Sequence, residues 1–107
     1  SFDALPPKSY AFCSDTVYDA SIVPLIQDVD VLYHESTFLD SEEHLSGKTM
    51  HSTAKQDATI ALKANVKQLL LGHYSTRYAS IDLFKEEAET IFPNVLLADD
   101  GKYFSFE

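Results

Sequence analysis

The chain has 107 residues, a net charge of −9 and an apolar share of 45%. This composition is typical of one folded domain with a modest core, and it excludes a disordered chain. The acidic balance by itself argues against a nucleic-acid-binding protein, which normally carries a basic surface. Cys13 is the single cysteine, which excludes a disulfide and favours a reducing compartment, namely the cytoplasm. No apolar run approaches the ~20 residues of a membrane span.

The first half of the chain is predicted to form two strands joined by a helix. Residues 9–14 form an aromatic-rich strand, and Asp19 is placed to cap a helix over residues 20–27. A second strand is predicted at residues 29–34. The polar stretch 39–49 that follows is predicted to be a loop or lid with at most one helical turn.

The second half is predicted to alternate helices with strands. Its elements are a helix from Ser52 or Thr53 to about Ala64, a strand at 66–71, a helix at 81–92 capped by Ser80, a strand at 95–98, a turn at 99–101 and a last strand at 102–106. The helix at 81–92 is expected to bury an apolar stripe that contains Leu83, Phe84, Ala88, Ile91 and Phe92. This order of strands and helices predicts an α/β layer architecture.

Polar residues follow three of the predicted strands, at the point where each strand ends. Asp15 follows the first strand, Glu35 the second and His73 the third. In α/β proteins the carboxyl ends of strands lie at one edge of the sheet, where binding sites are usually built. We therefore expect these three side chains to contribute to one site.

Asp15 and His73 have the chemistry of metal ligands. A carboxylate can bridge two cations with its two oxygens, and imidazole is a common zinc ligand. Both residues also have plain structural interpretations: Asp15 as a turn residue, and His73 as a partly buried histidine bonded to a neighbour. Zinc needs about three or four protein ligands. The two residues therefore amount to half of a possible metal site.

Four further residues are candidates for acid–base chemistry or phosphate binding. Glu35 ends a strand of buried character and needs a cation or a donor, and His51 directly precedes a predicted helix. Such a Glu–His pair can pass a proton to a leaving oxygen, or it can be a structural ion pair. Ser75 and Arg77 can together hold a phosphate, although an arginine in so acidic a chain often pairs with a carboxylate. His34 is interpreted as structural.

Five segments together resemble the C-terminal half of ribonuclease Z, the tRNA 3′-processing endonuclease of the metallo-β-lactamase superfamily. The segments occur in the family's order and cover nearly the whole chain from Tyr10 onward. They are Ser14-Asp15-Thr16, His34-Glu35-Ser36-Thr37-Phe38, His51-Ser52-Thr53-Ala54 with Gln56, Gly72-His73-Tyr74-Ser75-Thr76-Arg77-Tyr78, and Leu97-Ala98-Asp99-Asp100-Gly101.

The resemblance implies an α/β fold that is half of an αββα sandwich, with one mixed sheet and covering helices. It also implies two zinc ions: Asp15 would bridge both, and His73 would bind the second. Glu35 and His51 match residues that assist protonation of the leaving 3′-oxygen. The implied activity is removal of the 3′ trailer from precursor tRNA, with a zinc-activated hydroxide attacking the phosphodiester.

Several parts of the family pattern are absent from this sequence. The His-x-His-x-Asp-His motif, a further zinc histidine, the general-base aspartate and the tRNA-gripping arm belong to an N-terminal portion of the family. Residues 1–107 are therefore expected to be the C-terminal portion of a metallo-β-lactamase-fold domain. Alone, the chain is predicted neither to hold two zinc ions tightly nor to cut RNA. The expected partners are the missing half, precursor tRNA and, as is common in the family, a second copy in a homodimer.

Three other functional interpretations stay open at the level of sequence. One is a different metallo-β-lactamase-fold hydrolase acting on a cyclic nucleotide or another small ester, which needs Asp15 and His73 but not the Glu35–His51 pair. Another is a non-catalytic α/β interaction module whose polar strand ends are ordinary turns. The third is a separately expressed half that assembles with a partner chain.

Overall fold

One sheet with helices on it organises the chain. In the computed structural model, residues 9–13, 19–42, 52–75, 78 and 80–98 are described. The strands are β1 (Tyr10–Cys13), β2 (Val31–Glu35), β3 (Gln68–Gly72) and β4 (Val95–Leu97), and the α-helices are α1 (Ala54–Lys63) and α2 (Asp82–Glu89). Two short 3-10 helices lie at Ala20–Ile26 and Asp40–Glu42. The predicted α/β architecture is confirmed.

The sheet has the order β1-β2-β3-β4, and every neighbouring pair is parallel. Parallel neighbours require crossover connections, and helical segments supply all three of them. Because the order is sequential and crossovers are right-handed, the connecting helices collect on one face of the sheet. The mixed sheet that the resemblance implies would need the strand predicted at 102–106. That strand and the turn predicted at 99–101 lie outside the described residues.

The helix-covered face of the sheet carries the hydrophobic core. Small residues at helical spacing on α1 let this helix approach the sheet closely, and Phe84 of α2 fills the space beside it. The sheet contributes alternate residues of its central strands. Core residues from the sheet and the two α-helices include Leu32, Leu69, Leu71, Ala54, Ala58, Ala61, Phe84 and Ala88.

The opposite face of the sheet is apolar and is exposed to solvent on its outer strands, β1 and β4. Side chains alternate between faces along a strand, so Phe12, Tyr33 and Leu96 point away from the helices. Phe12 is 67% exposed, and its ring stacks on that of Tyr33 with centroids 4.3 Å apart. Leu96 is 42% exposed on β4. An apolar face of this kind is typical of a surface that another layer covers.

The start of α1 agrees with the sequence prediction, and Thr53 is the capping residue. Its hydroxyl accepts the Gln56 N–H at 3.1 Å, and the Gln56 side-chain oxygen accepts the Thr53 N–H at 3.0 Å. This reciprocal pair is a capping box. The helix ends before Asn65, whose φ of 54° is in the left-handed region that asparagine tolerates.

Several boundaries differ from the predicted ones. β2 and β3 each begin two residues later than expected, because the Val29 N–H bonds to Ile26 and the Val66 N–H bonds to Ala61 of the preceding helices. α2 is shorter than the predicted 81–92. Leu83, expected on its apolar stripe, is 40% exposed, whereas Phe84 and Ala88 are buried.

The first predicted helix is a 3-10 helix rather than an α-helix. Asp19 caps it by accepting the Ser21 N–H at 2.9 Å, as expected. Pro24 lies inside it and lacks the N–H that an α-helical bond would need, which favours the short, tight form. Among the described residues, no helix is both long and apolar enough to cross a bilayer.

Candidate active site

The parallel register brings the ends of β2 and β3 together at one edge of the sheet. Glu35, the last residue of β2, pairs with Gly72, the last residue of β3. His73 is the next residue along the chain, so the two sequence-predicted side chains lie side by side. Cys13 ends β1 opposite His34. Asp15 follows β1 at a position outside the described residues, as do His51 and Arg77.

The Glu35 carboxylate is fully buried and surrounded by hydrogen-bond donors. Its Oε2 accepts the Thr37 N–H at 3.2 Å and the Thr37 hydroxyl at 2.7 Å, and its Oε1 accepts the Ser52 N–H at 2.7 Å. A buried carboxylate is tolerated only where donors replace its lost hydration. These bonds fix Glu35 between the segment after β2 and the residue that follows His51.

His73 is held in a constrained backbone conformation with its ring bonded on one side. Its φ is 62°, a left-handed value that is costly for a residue with a side chain. The Nδ1 atom lies 3.1 Å from the Thr37 hydroxyl oxygen and 3.9 Å from Glu35 Oε2. Half of the side chain (55%) is exposed. The ring is thus anchored at Nδ1 and reaches the surface at the strand edge.

The Thr37 hydroxyl connects Glu35 to His73, and counting protons assigns the tautomer. The hydroxyl has one proton and two acceptors in reach, Glu35 Oε2 at 2.7 Å and the His73 carbonyl oxygen at 3.0 Å. The nearer, charged acceptor is favoured. The Thr37 oxygen then accepts a hydrogen bond from the His73 Nδ1–H, so that Nε2 carries the lone pair. A carboxylate-anchored Nδ1 with Nε2 as ligand is the usual arrangement of metal-binding histidines.

Backbone bonds join the segments that follow these strands. The Ser36 N–H donates to the Gly72 carbonyl at 2.7 Å, and the Ser75 N–H donates to the Thr37 carbonyl at 2.9 Å. Phe38 forms a parallel bridge with Thr53, the cap of α1. Ser75, a predicted phosphate contact, is therefore half-buried at the same edge and tied to the segment after β2.

A buried histidine–aspartate pair lies directly beneath this edge. His34 Nδ1 is 3.0 Å from Asp57 Oδ1, and neither side chain is exposed by more than 2%. Burial alone lowers the pKa of His34, but the charge and hydrogen bond of Asp57 outweigh it and raise the pKa to about 9. Burial is the larger effect on Asp57 and raises its pKa to about 6 despite the imidazolium. At neutral pH the pair is ionised.

Asp57 is a site residue that the pattern of candidate ligands missed. His34 was interpreted only as structural, and its buried partner lies 23 residues later on another element. A signal exists in the sequence. On α1, Asp57 falls at helical spacing with Ala54, Ala58 and Ala61, so it is the charged residue on the buried face. A carboxylate there requires a buried partner.

Cys13 faces this pair from β1 and is not a reactive thiol. Burial, followed by the nearby Asp57 charge, raises the pKa of Cys13 above its ordinary value. A thiol in such surroundings stays protonated and serves as a small apolar side chain.

The described residues include one candidate metal ligand rather than a complete metal centre. Among them, no group of three or more His, Cys, Asp and Glu side chains is arranged to hold a metal ion. His73 fits the role of a single zinc ligand through its anchored Nδ1. The remaining predicted ligand of this chain, Asp15, is outside the described residues.

Comparison with known sequences gives extensive matches to one kind of enzyme. Over 95% of its length, the chain is 49% identical to ribonuclease Z of Parabacteroides distasonis and covers 34% of that protein. Over 89% of its length, it is 48% identical to ribonuclease Z of Porphyromonas gingivalis and covers 31% of that protein. The chain thus spans about a third of the length of these curated relatives. No protein-family model matches the sequence.

Two solved structures share the fold. YhfI of Bacillus subtilis, a metallo-β-lactamase fold protein, superposes with a TM-score of 0.79 at 26% identity, over 87% of this chain and 38% of that one. The short form of human tRNase Z superposes with a TM-score of 0.59 at 30% identity, over 79% of this chain and 27% of that one. This chain is therefore a homologue of about one third of ribonuclease Z, and its sheet and helices are part of a metallo-β-lactamase fold.

Proposed function

We propose that the complete protein containing this chain is a zinc-dependent endoribonuclease that removes the 3′ trailer from precursor tRNA in the cytoplasm. The observation that carries this proposal is the 49% identity to a ribonuclease Z over 95% of the chain. The anchored His73 beside the buried Glu35 supports it, because that arrangement suits a hydrolytic metal site.

In this proposal Asp15 and His73 contribute zinc ligands, and Nε2 is the ligand atom of His73. When bound, zinc polarises the phosphodiester and activates the attacking water. Thr37 and Glu35 keep the His73 ring in one tautomer and one orientation through the bonds at 3.1 and 2.7 Å. Such fixed ligands need little reorganisation during the reaction.

Glu35 and His51 have different roles in the proposed proton transfer: Glu35 orients, and His51 donates the proton. Glu35 has no solvent exposure, so its carboxylate is placed to hold neighbouring groups rather than to meet RNA. It fixes Ser52 through the backbone bond of 2.7 Å, and Ser52 directly follows His51. His51 would then protonate the leaving 3′-oxygen as the general acid. Ser75 and Arg77 would contact the phosphate.

The remaining layers of the sandwich would come from the part of the protein outside this chain. The chain spans about a third of its relatives, and one face of its sheet presents Phe12, Tyr33 and Leu96 to solvent. The missing N-terminal portion would cover that face and bring the further zinc ligands and the tRNA-binding arm. A homodimer of the complete protein is also proposed.

The test is the product formed when the complete protein meets a precursor tRNA carrying a 3′ trailer. We expect a cut just after the discriminator base, lost in Asp15→Ala and His73→Ala and retained in Asp82→Ala. Asp82 is exposed in the first turn of α2 and serves as the matched control. If the folded, zinc-loaded wild type leaves this substrate intact, the proposal is wrong. Hydrolysis of a small phosphodiester by the same sample would then favour the rival metallo-β-lactamase-fold hydrolase.

A further inference from the structure

Asp57 has no role in the proposed chemistry, although burying its carboxylate costs folding free energy. Its side chain is fully buried, on the sheet-facing side of α1, next to the equally buried Glu35 and Ser52. Its Oδ2 has no hydrogen-bond partner among the described residues. Burying a half-satisfied carboxylate lowers stability, and groups of that kind concentrate where function requires them.

Asp57 shares its hydrogen-bond donors with Glu35. The Ser52 hydroxyl oxygen lies 2.7 Å from Asp57 Oδ1, 2.9 Å from the Glu35 carbonyl oxygen and 3.3 Å from Glu35 Oε1. His34 Nδ1 lies 3.0 Å from Asp57 Oδ1 and 2.9 Å from the same Glu35 carbonyl. Two donors therefore serve Asp57 and the Glu35 main chain together.

Counting protons shows what Asp57 does to Glu35. The Ser52 hydroxyl has one proton, and the shortest bond gives it to Asp57. Without that acceptor the proton would turn to the Glu35 side, where Oε1 already accepts the Ser52 N–H at 2.7 Å. Asp57 thus holds the Ser52 side chain in the position from which the Ser52 N–H bonds Glu35 Oε1.

We propose that Asp57 is a positioning residue for the reaction: by holding the Ser52 hydroxyl, it places the Ser52 N–H that bonds the Glu35 carboxylate at the end of β2. Because Glu35 in turn orients Thr37 and His73, the effect reaches the site edge through the Asp57–Ser52 bond, the Ser52 N–H on Glu35 and the Thr37 hydroxyl. The inference rests on the ribonuclease activity proposed above. Asp57 itself touches neither substrate nor metal.

A double-mutant cycle on the complete protein tests this role, with cleavage of a trailer-bearing precursor tRNA as the assay. Asp57→Asn keeps the shape of the side chain and removes its charge, and Ser52→Ala removes the connecting hydroxyl while keeping the backbone N–H. We expect each to lower kcat by about tenfold with KM and zinc content unchanged. The double variant is expected to be no slower than the slower single variant, because both changes break the same link.

Ile60→Val is the matched control, since Ile60 is fully buried on α1 and its aliphatic side chain takes no part in the hydrogen bonds of Asp57. It should lower thermal stability while leaving kcat unchanged. Wild-type kcat in Asp57→Asn, or multiplying effects in the double variant, would overturn the positioning role. If Asp57→Asn does not fold, Ser52→Ala tests the positioning role by itself. An unchanged kcat in Ser52→Ala would overturn that role. If the wild-type protein cleaves no precursor tRNA, the proposed function is wrong as well. Failure of the function is thus distinguished from failure of the positioning role, in which the wild type cleaves but the variants are unaffected.

Discussion

His73 Nδ1 lies 3.1 Å from the hydroxyl oxygen of Thr37, and this contact joins the exposed ring to the buried interior. The same hydroxyl donates to Glu35 Oε2 at 2.7 Å. A threonine with two such contacts links the exposed imidazole to the buried carboxylate through a single hydroxyl. The chain of bonds from carboxylate to hydroxyl to imidazole orients the proposed zinc ligand.

Thr37→Val should therefore weaken zinc binding without unfolding the protein. Valine has nearly the same volume but lacks the hydroxyl, so the His73 ring loses its anchor and Glu35 loses a donor. We expect zinc affinity and kcat of the complete protein to fall by roughly 10- to 100-fold. Competitive zinc titration and cleavage kinetics measure the two effects.

Thr59→Val is the control for that substitution. The Thr59 hydroxyl donates to the Lys55 carbonyl at 2.8 Å on α1, away from the strand ends. The Thr59→Val variant should bind zinc with the wild-type affinity. Equal losses in both variants would show that any threonine-to-valine change perturbs the protein and that the Thr37 bond has no special role.

Gly72→Ala is expected to destabilise the protein through a steric clash. A Cβ atom at Gly72 would run into the hydroxyl and ring of Tyr33, so this ring would have to leave its stacked position on Phe12. Overpacking of this kind costs roughly 1–3 kcal/mol. Urea unfolding measures the loss. The loss should shrink when Tyr33→Ala is present as well, because the obstructing ring is then gone; an undiminished loss would point to a different cause.

Most of the described strands and helices could be predicted from the sequence because their signals are local. Alternation of apolar strands with helices, the Thr53–Gln56 capping box and the Asp19 cap are all readable from neighbouring residues. Boundaries were less accurate. Val29 and Val66 are good strand residues, yet tertiary contacts tie their N–H groups to the preceding helices.

The site could be predicted only in part, because its organisation depends on contacts between distant segments. Glu35 and His73 were recognisable as polar residues after apolar strands, and the register does bring them together. The roles of Thr37 and Asp57 were not recognisable in the same way. Thr37 looks like an ordinary turn residue, and Asp57 becomes informative only when α1 is known to bury that face against His34.

The stability of the protein should fall as the pH rises from 6.5 towards 9. His34 has its pKa raised from 6.5 to about 9 by Asp57, which outweighs the opposing effect of burial. When folding raises the pKa of a group, that group stabilises the folded state fully at pH values below its unfolded-state pKa. The stabilisation is lost as the pH rises through the folded-state pKa. Asp57, with a pKa of about 6, titrates below this range, while Glu35 and Cys13 also face the pair.

Asp57→Asn removes the anion that holds the proton on His34. The fall in unfolding free energy between pH 6.5 and 9 should therefore be smaller in this variant. Free energies of unfolding from denaturant titrations at several pH values between 6.5 and 9 measure it. Asp82→Asn, an exposed change on α2, should keep the wild-type slope. If Asp57→Asn shows the same decline as wild type, His34 is not its source.

The isolated 107-residue chain should neither retain two zinc ions nor cut precursor tRNA. Its described residues offer His73 as a prepared ligand, and a zinc ion needs about three or four. Metal analysis after dialysis, together with a cleavage assay, measures both properties. Two tightly held zinc ions per chain would contradict the expectation that this chain supplies only part of the site.

Phe12 should be exposed in the isolated chain and buried in the complete protein. It is 67% exposed on the uncovered face of the sheet, and its ring stacks on Tyr33. If the rest of the sandwich packs there, Phe12→Ser removes a buried aromatic from the complete protein. The expected loss is about 2–3 kcal/mol of unfolding free energy, as for other buried large apolar side chains.

Leu25→Ser provides the comparison, because Leu25 is 82% exposed on the 3-10 helix rather than on this face of the sheet. It should change the stability of the complete protein by less than about 0.5 kcal/mol. In the isolated chain, both substitutions should leave stability nearly unchanged and raise solubility, since each removes an exposed apolar side chain. A Phe12→Ser effect as small as that of Leu25→Ser in the complete protein would mean that the face stays open to solvent.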